Sequence, residues 1–278
     1  MLIDTHTHLL DSRMRDNADD IVKRLHADGV EHIIEIGTDY EGSRTALDFA
    51  AAHENVYCTV GIHPMFAGSY SDEFETWASD HITRQTPLLE KGVASVGRLT
   101  GYLTNKILAI GECGLDYFHM DFSKDIQRET FVRQIKLADR LSLPLVVHSR
   151  DAFDDLFAIL DSHRAHLKNG IILHCFAGGA QEVNRFAQFG AYFAFGGTIT
   201  YKDASRAAEA IRAVPRDRLI LETDCPYLAP VPFRGKINEP KYIKIVAEHV
   251  AALLDLTFDQ VAKLTTENAK RVFRIALQ

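Results

Sequence analysis

Four histidines and two carboxylates stand where apolar runs end. They are His6 and His8 in Asp4-Thr5-His6-Thr7-His8, Glu112 in Ile110-Gly111-Glu112, His148 in Val146-Val147-His148, His174 in Ile172-Leu173-His174, and Asp224 in Glu222-Thr223-Asp224. Imidazole suits zinc and other transition metals, while carboxylate also suits magnesium and manganese. His6 and His8 are one residue apart, so on an extended segment both rings face the same way. Glu112 and Asp224 follow apolar runs, where an unpaired carboxylate is costly to bury. Six ligands exceed the need of one tetrahedral ion. They could hold two divalent ions with a carboxylate between them, about 3.5–4 Å apart, as is common in nucleases and phosphatases. Such a pair lowers the pKa of bound water and neutralises charge on a displaced oxygen. A purely structural zinc site needs only four ligands and no open position, which argues against a non-catalytic metal-binding module.

Other side chains could complete a pocket. His63 in Gly61-Ile62-His63-Pro64 ends a third apolar run, placed to contact substrate or position water. Arg150 in His148-Ser149-Arg150 could clamp an anion; pairing with Asp151 or Asp154 is the structural alternative. Glu222 shares a strand face with Asp224 and could support the ligands or meet substrate. Arg234, Asn238 and Glu239 lie in a Pro-bounded loop that could touch a phosphate or base. Tyr201, Tyr227 and Phe233 could offer stacking surfaces or pack in the core. The remaining histidines, His119 among them, read as solvent-facing or structural.

To converge, these residues need a scaffold with several strand ends at one mouth. Eight short apolar runs read as strands: Leu2–His6, His32–Gly37, Val56–His63, Ile107–Glu112, Leu143–His148, Ile171–Cys175, Ala191–Phe195 and Leu219–Asp224. Helical spacing falls between them, at Ala18–Asp28, Arg44–His53, Asp125–Leu141, Ala152–Asp161, Gln181–Gln188 and Ser205–Ala213. Two further C-terminal helices are expected, Pro240–Leu254 and Thr257–Phe273, the second capped by Thr257. Alternation of strand and helix implies a parallel sheet. Eight repeats imply a (β/α)8 TIM barrel over residues 1–278, whose active site lies at the C-terminal strand ends. The longest connection, Pro64–Lys106, carries two helical patterns, Ser71–Thr83 and Leu88–Leu103. Cys113, Cys175 and Cys225 each directly follow a ligand. Strand alternation would turn these thiols towards the helices if the ligands face the barrel interior.

The chain has 278 residues and a formal charge of −7, which disfavours a tight, salt-sensitive duplex binder. No apolar run approaches the roughly 18 residues of a membrane span. The N-terminus lacks the order of a signal peptide, so a cytoplasmic protein is expected, with no membrane association and no obligate protein partner evident. The scattered cysteines match neither a disulfide framework nor a CxxC zinc site.

The ordered motifs carry a resemblance over nearly the whole chain. They are Asp4-Thr5-His6-Thr7-His8, Gly61-Ile62-His63-Pro64, Gly111-Glu112-Cys113-Gly114-Leu115-Asp116-Tyr117, His148-Ser149-Arg150-Asp151-Ala152, His174-Cys175-Phe176-Ala177-Gly178, Glu222-Thr223-Asp224-Cys225-Pro226-Tyr227-Leu228 and Asn238-Glu239-Pro240. Together they resemble the TatD family of metal-dependent deoxyribonucleases, within the amidohydrolase-like barrels. The resemblance implies that His6, His8, Glu112 and Asp224 serve one ion, and that Glu112, His148 and His174 serve the other. Glu112 stands where many amidohydrolase relatives carry a modified lysine. The resemblance further implies hydrolysis of DNA phosphodiesters, as an exonuclease using magnesium or manganese, with zinc also accepted. On this reading a metal-bound hydroxide attacks phosphorus, Asp224 orients or deprotonates the water, and His63 or solvent protonates the leaving group. A deep barrel mouth favours single-stranded or frayed ends. The alternative is an amide or ester hydrolase, such as a deacylase of an amino acid or aminoacyl-tRNA. The Pro64–Lys106 connection is longer than is usual for the family and bears on substrate access.

Overall fold

The short β-branched runs form eight strands in the computed structural model, which describes residues 1–85 and 106–275. They are β1 (Leu2–Thr7), β2 (Val30–Ile36), β3 (Val56–Val60), β4 (Ile107–Asp116), β5 (Leu145–Arg150), β6 (Ile171–Leu173), β7 (Tyr192–Phe195) and β8 (Leu219–Leu221). Every neighbouring pair from β1 to β8 is parallel, in sequence order. A parallel bridge from Thr7 to Cys225 joins the two ends. This is the expected TIM barrel. The helices among the described residues are α1 (Ala18–Arg24), α2 (Tyr40–Ala52), α3 (Asp72–Gln85), α4 (Lys124–Leu141), α5 (Phe153–Ser162), α6 (Ala180–Ala187), α7 (Ser205–Ala213), α8 (Ile243–Leu254) and α9 (Phe258–Phe273). The expected helix at Leu88–Leu103 lies outside the described residues.

Alternate strand residues sort into two apolar clusters. Ile33, Ile107, Val147, Ile171, Phe193 and Leu219 pack with the surrounding helices. Ile3, Ile34, Leu108, Val146, Ile172 and Ile220 pack with one another, with Val272 and Phe273 at the end of α9, and with Ile275 just beyond it. The C-terminal helix therefore contributes to the strand-lined core. Its start is fixed by the expected Thr257 cap. The Thr257 hydroxyl accepts from Gln260 N at 3.2 Å, and Gln260 Oε1 accepts from Thr257 N at 2.8 Å.

Several element ends differ from the sequence expectation. β6 stops at Leu173 and β8 at Leu221, because Cys175 (φ 43°) and Asp224 (φ 57°) turn into left-handed backbone. His174, Glu222 and Asp224 therefore sit just beyond the ladder. β4 runs on to Asp116, and β5 to Arg150. α2 begins four residues earlier than Arg44, at Tyr40, where Asp39 Oδ1 accepts from Gly42 N at 2.7 Å. β1 has a register shift between Asp4 and Thr7. It lets both Ile3 and His6 face the interior despite their odd spacing, a departure from simple strand alternation.

Phe273 is 2% exposed within the strand-lined cluster. Phe273→Ala should destabilise the fold by about 3–5 kcal/mol. Urea unfolding should show this as a lower midpoint, while metal binding at native conditions stays at the wild-type value.

Candidate metal centre

Glu112 is 3% exposed, at a point where five strand ends converge. Its two oxygens face different partners. Oε2 lies 3.3 Å from His6 Nε2 and 4.0 Å from His8 Nε2. Oε1 lies 3.0 Å from His148 Nδ1, 3.1 Å from His174 Nε2 and 3.5 Å from His63 Nε2. Asp224 Oδ1 closes the first group, 3.4 Å from His8 Nε2 and 3.8 Å from His6 Nε2. Three trios have ligand atoms within 4.8 Å of one another: His6–His8–Asp224, His6–Glu112–His174 and His63–Glu112–His148.

This set fits divalent cations. His6 Nε2 and His8 Nε2 face each other at 3.2 Å. Among the described residues, the ion pairs of Glu112 and Asp224 are with histidines, not with a lysine or arginine. Burial alone would raise the pKa of Glu112, but His174, His63 and His6 hold it well below the usual range. Burial likewise opposes ionisation of Asp224, and His8, His174 and His6 reverse the effect. Both carboxylates are thus charged, as ligands must be.

Carboxylates behind the rings assign the ligand atoms. His148 Nε2 lies 3.0 Å from Asp116 Oδ2, which leaves Nδ1 to the centre. His174 Nδ1 lies 3.3 Å from Glu222 Oε1, which leaves Nε2. Such carboxylate–imidazole pairs set tautomer and ring direction. His63 differs. Its Nδ1 accepts from Met65 N at 3.1 Å, so the proton of the neutral ring is on Nε2, pointing at the centre. Burial lowers its pKa to about 3, keeping the ring neutral. His63 is a donor there, which separates it from the ligands.

The scaffold behind the site is polar and buried. Thr223 donates to Asp4 through its N (2.8 Å to Oδ1) and its hydroxyl (2.6 Å to Oδ2), joining β1 to the end of β8. Glu35 on β2 accepts from Leu9 N and Leu10 N, at 2.9 and 3.0 Å, and fixes the turn after His8. On α4, Gln127 and Gln134 are seven residues apart and share a buried face. Gln134 exchanges 2.8 Å bonds with both Ile62 N and Ile62 O, next to His63. Gln127 does the same for Asp116, at 2.8 and 2.9 Å. β3 and β4 approach so closely that a Cβ on Gly61 would lie 2.5 Å from the Gly111 carbonyl carbon.

A cavity of about 630 Å³ opens over the centre. It is lined by His8, Glu112, His148, His174 and Asp224, and also by His63 and Arg150. Arg150 is exposed and pairs with neither Asp151 nor Asp154; the latter is held by Arg185 at 2.7 Å. The other expected substrate contacts are already engaged within the protein. Glu222 and Asn238 are both 0% exposed. Glu222 accepts from Cys175 N at 2.7 Å, and Asn238 donates to Thr223 O and Tyr227 O at 2.8 and 2.7 Å, tying the loop down. Glu239 pairs with Arg24 and Lys241. Arg234 stacks on Tyr201 at 4.2 Å, away from the cavity lining. Of the three aromatic candidates, Phe233 stacks on Tyr242 at 4.4 Å, and Tyr227 alone lines the cavity, with Arg13 over its ring at 4.3 Å.

Cys113 and Cys225 pack among the helices, away from the ligands, and burial pushes both thiols up. Cys175 is half-buried in the turn after β6, beyond the ladder on which the alternation argument rests. Sequence reasoning missed Asp116, Glu35 and His119. His119 Nδ1 lies 3.0 Å from Asp116 Oδ2 and its ring lines the cavity. Asp116 had a findable signal, since it lies four residues past Glu112 on one strand face.

Glu112→Ala should strip bound metal from the purified protein and abolish hydrolysis with it, as read by elemental analysis and turnover on one preparation. Asp116→Ala should weaken metal affinity about 10–100-fold through His148, measured by calorimetric titration. Gln134→Leu leaves two buried Ile62 backbone groups without partners, at about 1–3 kcal/mol each. A thermal melt should show the loss.

Comparison with known proteins agrees with this architecture. A family model described as TatD related DNase matches residues 3–274. An uncharacterized metal-dependent hydrolase of Bacillus subtilis, YabD, is 39% identical over 99% of this chain and 100% of its own length. A Schizosaccharomyces pombe protein named deoxyribonuclease Tat-D is 32% identical over 91% of this chain and 86% of its own. The crystal structure of YJJV, a TatD homologue from Escherichia coli, superposes with a TM-score of 0.83 at 29% identity, covering 99% of this chain and 98% of that one. The chain belongs to the TatD-related DNase family.

Proposed function

We propose that this metal-dependent hydrolase is a deoxyribonuclease that cleaves DNA phosphodiester bonds as an exonuclease on single-stranded or frayed ends. The observation that carries the reading is the divided coordination of Glu112, which offers one oxygen to His6 and His8 and the other to His148 and His174. That division supports two divalent ions with Glu112 between them. His6, His8 and Asp224 would hold one, and His148 and His174 the other. Magnesium or manganese suits the carboxylates, and zinc suits the imidazoles. When bound, the ions lower the pKa of water and supply countercharge to the phosphoryl group. The relative named deoxyribonuclease Tat-D supports DNA as the substrate class.

The side chains divide the remaining work. Asp224 stays ionised on the cavity wall and orients the attacking water or takes its proton. His63 Nε2–H donates a hydrogen bond to a phosphoryl oxygen. Its Nδ1 is held by Met65 N, so the neutral ring presents Nε2–H to the cavity as a hydrogen-bond donor. Solvent supplies the proton for the leaving oxygen as the ester P–O bond breaks and the water oxygen bonds to phosphorus. Arg150, at the cavity edge without an acidic partner, clamps substrate phosphate.

The test is degradation of an end-labelled single-stranded oligonucleotide with added magnesium, manganese or zinc, alongside a duplex and an aminoacyl-tRNA. The expected result is stepwise shortening of the single strand, stopped by chelation. No hydrolysis of DNA by folded, metallated protein under any of the three metals would remove the nuclease reading; release of the aminoacyl group alone would move the assignment to a deacylase.

A further inference from the structure

Beside the metal cavity lies a second cavity of about 610 Å³, and Arg150 lines both. The Arg150 guanidinium sits 3.9 Å from the centroid of the Phe118 ring. Phe118 is 59% exposed, the most of any large hydrophobic side chain among the described residues. It is not loosely placed. Phe118 N and His119 N donate to Asp116 Oδ1 at 2.9 and 2.8 Å, the same carboxylate that orients His148. One face of the ring carries the Arg150 guanidinium, and the rest stands out to solvent beside the metal cavity.

The charges around it are selectively occupied. In the second cavity Asp154 pairs with Arg185, Glu182 with Arg206, and Asp155 with Arg128. Arg150 has no carboxylate within ion-pair distance among the described residues, and Lys124 in the same cavity lies over the Tyr117 ring at 4.1 Å. A guanidinium with no carboxylate partner, lying over one face of an exposed ring, sets a phosphate-binding group against a base-sized apolar surface.

We propose that Arg150 and Phe118 form a nucleotide subsite next to the scissile phosphate. Arg150 takes the neighbouring phosphate, Phe118 stacks on its base, and the single strand continues into the second cavity. This rests on the nuclease reading and deepens it. It also gives a reason for single-strand preference: in a duplex the base face that Phe118 needs is covered by the next base pair.

The experiment compares wild type, Phe118→Ala, Phe118→Trp and Arg150→Gln on single-stranded DNA dinucleotides, trinucleotides and tetranucleotides with manganese. Binding of a hydrolysis-resistant phosphorothioate tetranucleotide is measured in parallel. Wild-type kcat/KM should rise with length. Phe118→Ala and Arg150→Gln should each lose about 10-fold on the tetranucleotide and flatten that rise, with Phe118→Trp restoring it. An unchanged length profile in both variants overturns the subsite and leaves the nuclease reading standing. If wild type cleaves no DNA yet binds the phosphorothioate strand about 10-fold more tightly than Phe118→Ala does, the subsite stands and the nuclease reading falls.

Discussion

Everything in this barrel is arranged around one buried carboxylate. Glu112 sits near the axis with 3% of its surface exposed, and desolvation alone would drive it to its neutral form. A neutral acid would be a poor ligand. Five imidazoles from β1, β5 and the segments after β3 and β6 surround it and keep it charged. Three of those rings have a partner behind them. Asp116 and Glu222 answer for His148 and His174, and the Met65 amide answers for His63. The outer groups then require anchoring, which Gln127 and the Cys175 amide supply. Burial of one charge thus propagates outward through three layers of ion pairs and hydrogen bonds.

The fold and most of the centre were legible in the sequence, because both rest on local pattern. Apolar runs of strand length, alternating with helical spacing, imply a parallel barrel whatever the details. His148 and His174 follow from period-two alternation after Val146 and Ile172, both of which face the interior. His6 follows from its place at the end of an apolar run and its spacing to His8, although alternation from Ile3 alone would turn it outward; the register shift in β1 turns it in. No residue type marks that shift.

What the sequence concealed were partners distant along the chain. Asn238 looks like a loop residue free to meet substrate, but its amide is spent on Thr223 and Tyr227 carbonyls. Glu35 looks like an ordinary strand acid and instead fixes the backbone after His8. Tyr201 and Phe233 carry the right chemistry for stacking, yet each packs against a neighbour, Arg234 and Tyr242, away from the cavity lining. Type and spacing reveal what a side chain can do; only the packing reveals whether it is free to do it.

The seam between the first and last strands has a consequence for the life of the chain. Asp4 and Thr223 are 219 positions apart, yet their hydrogen bond lies beside the ligands of both ends. His6 and His8 emerge early in synthesis, and Asp224 emerges last among the ligands. A nascent chain therefore cannot assemble the full grip until its final strand docks. Bringing those ends together is also the largest loop closure in the barrel, and its entropy cost grows slowly with length. With the proposed ligand set, complete metal binding would follow the docking of the last strand, and fragments lacking it would lack Asp224.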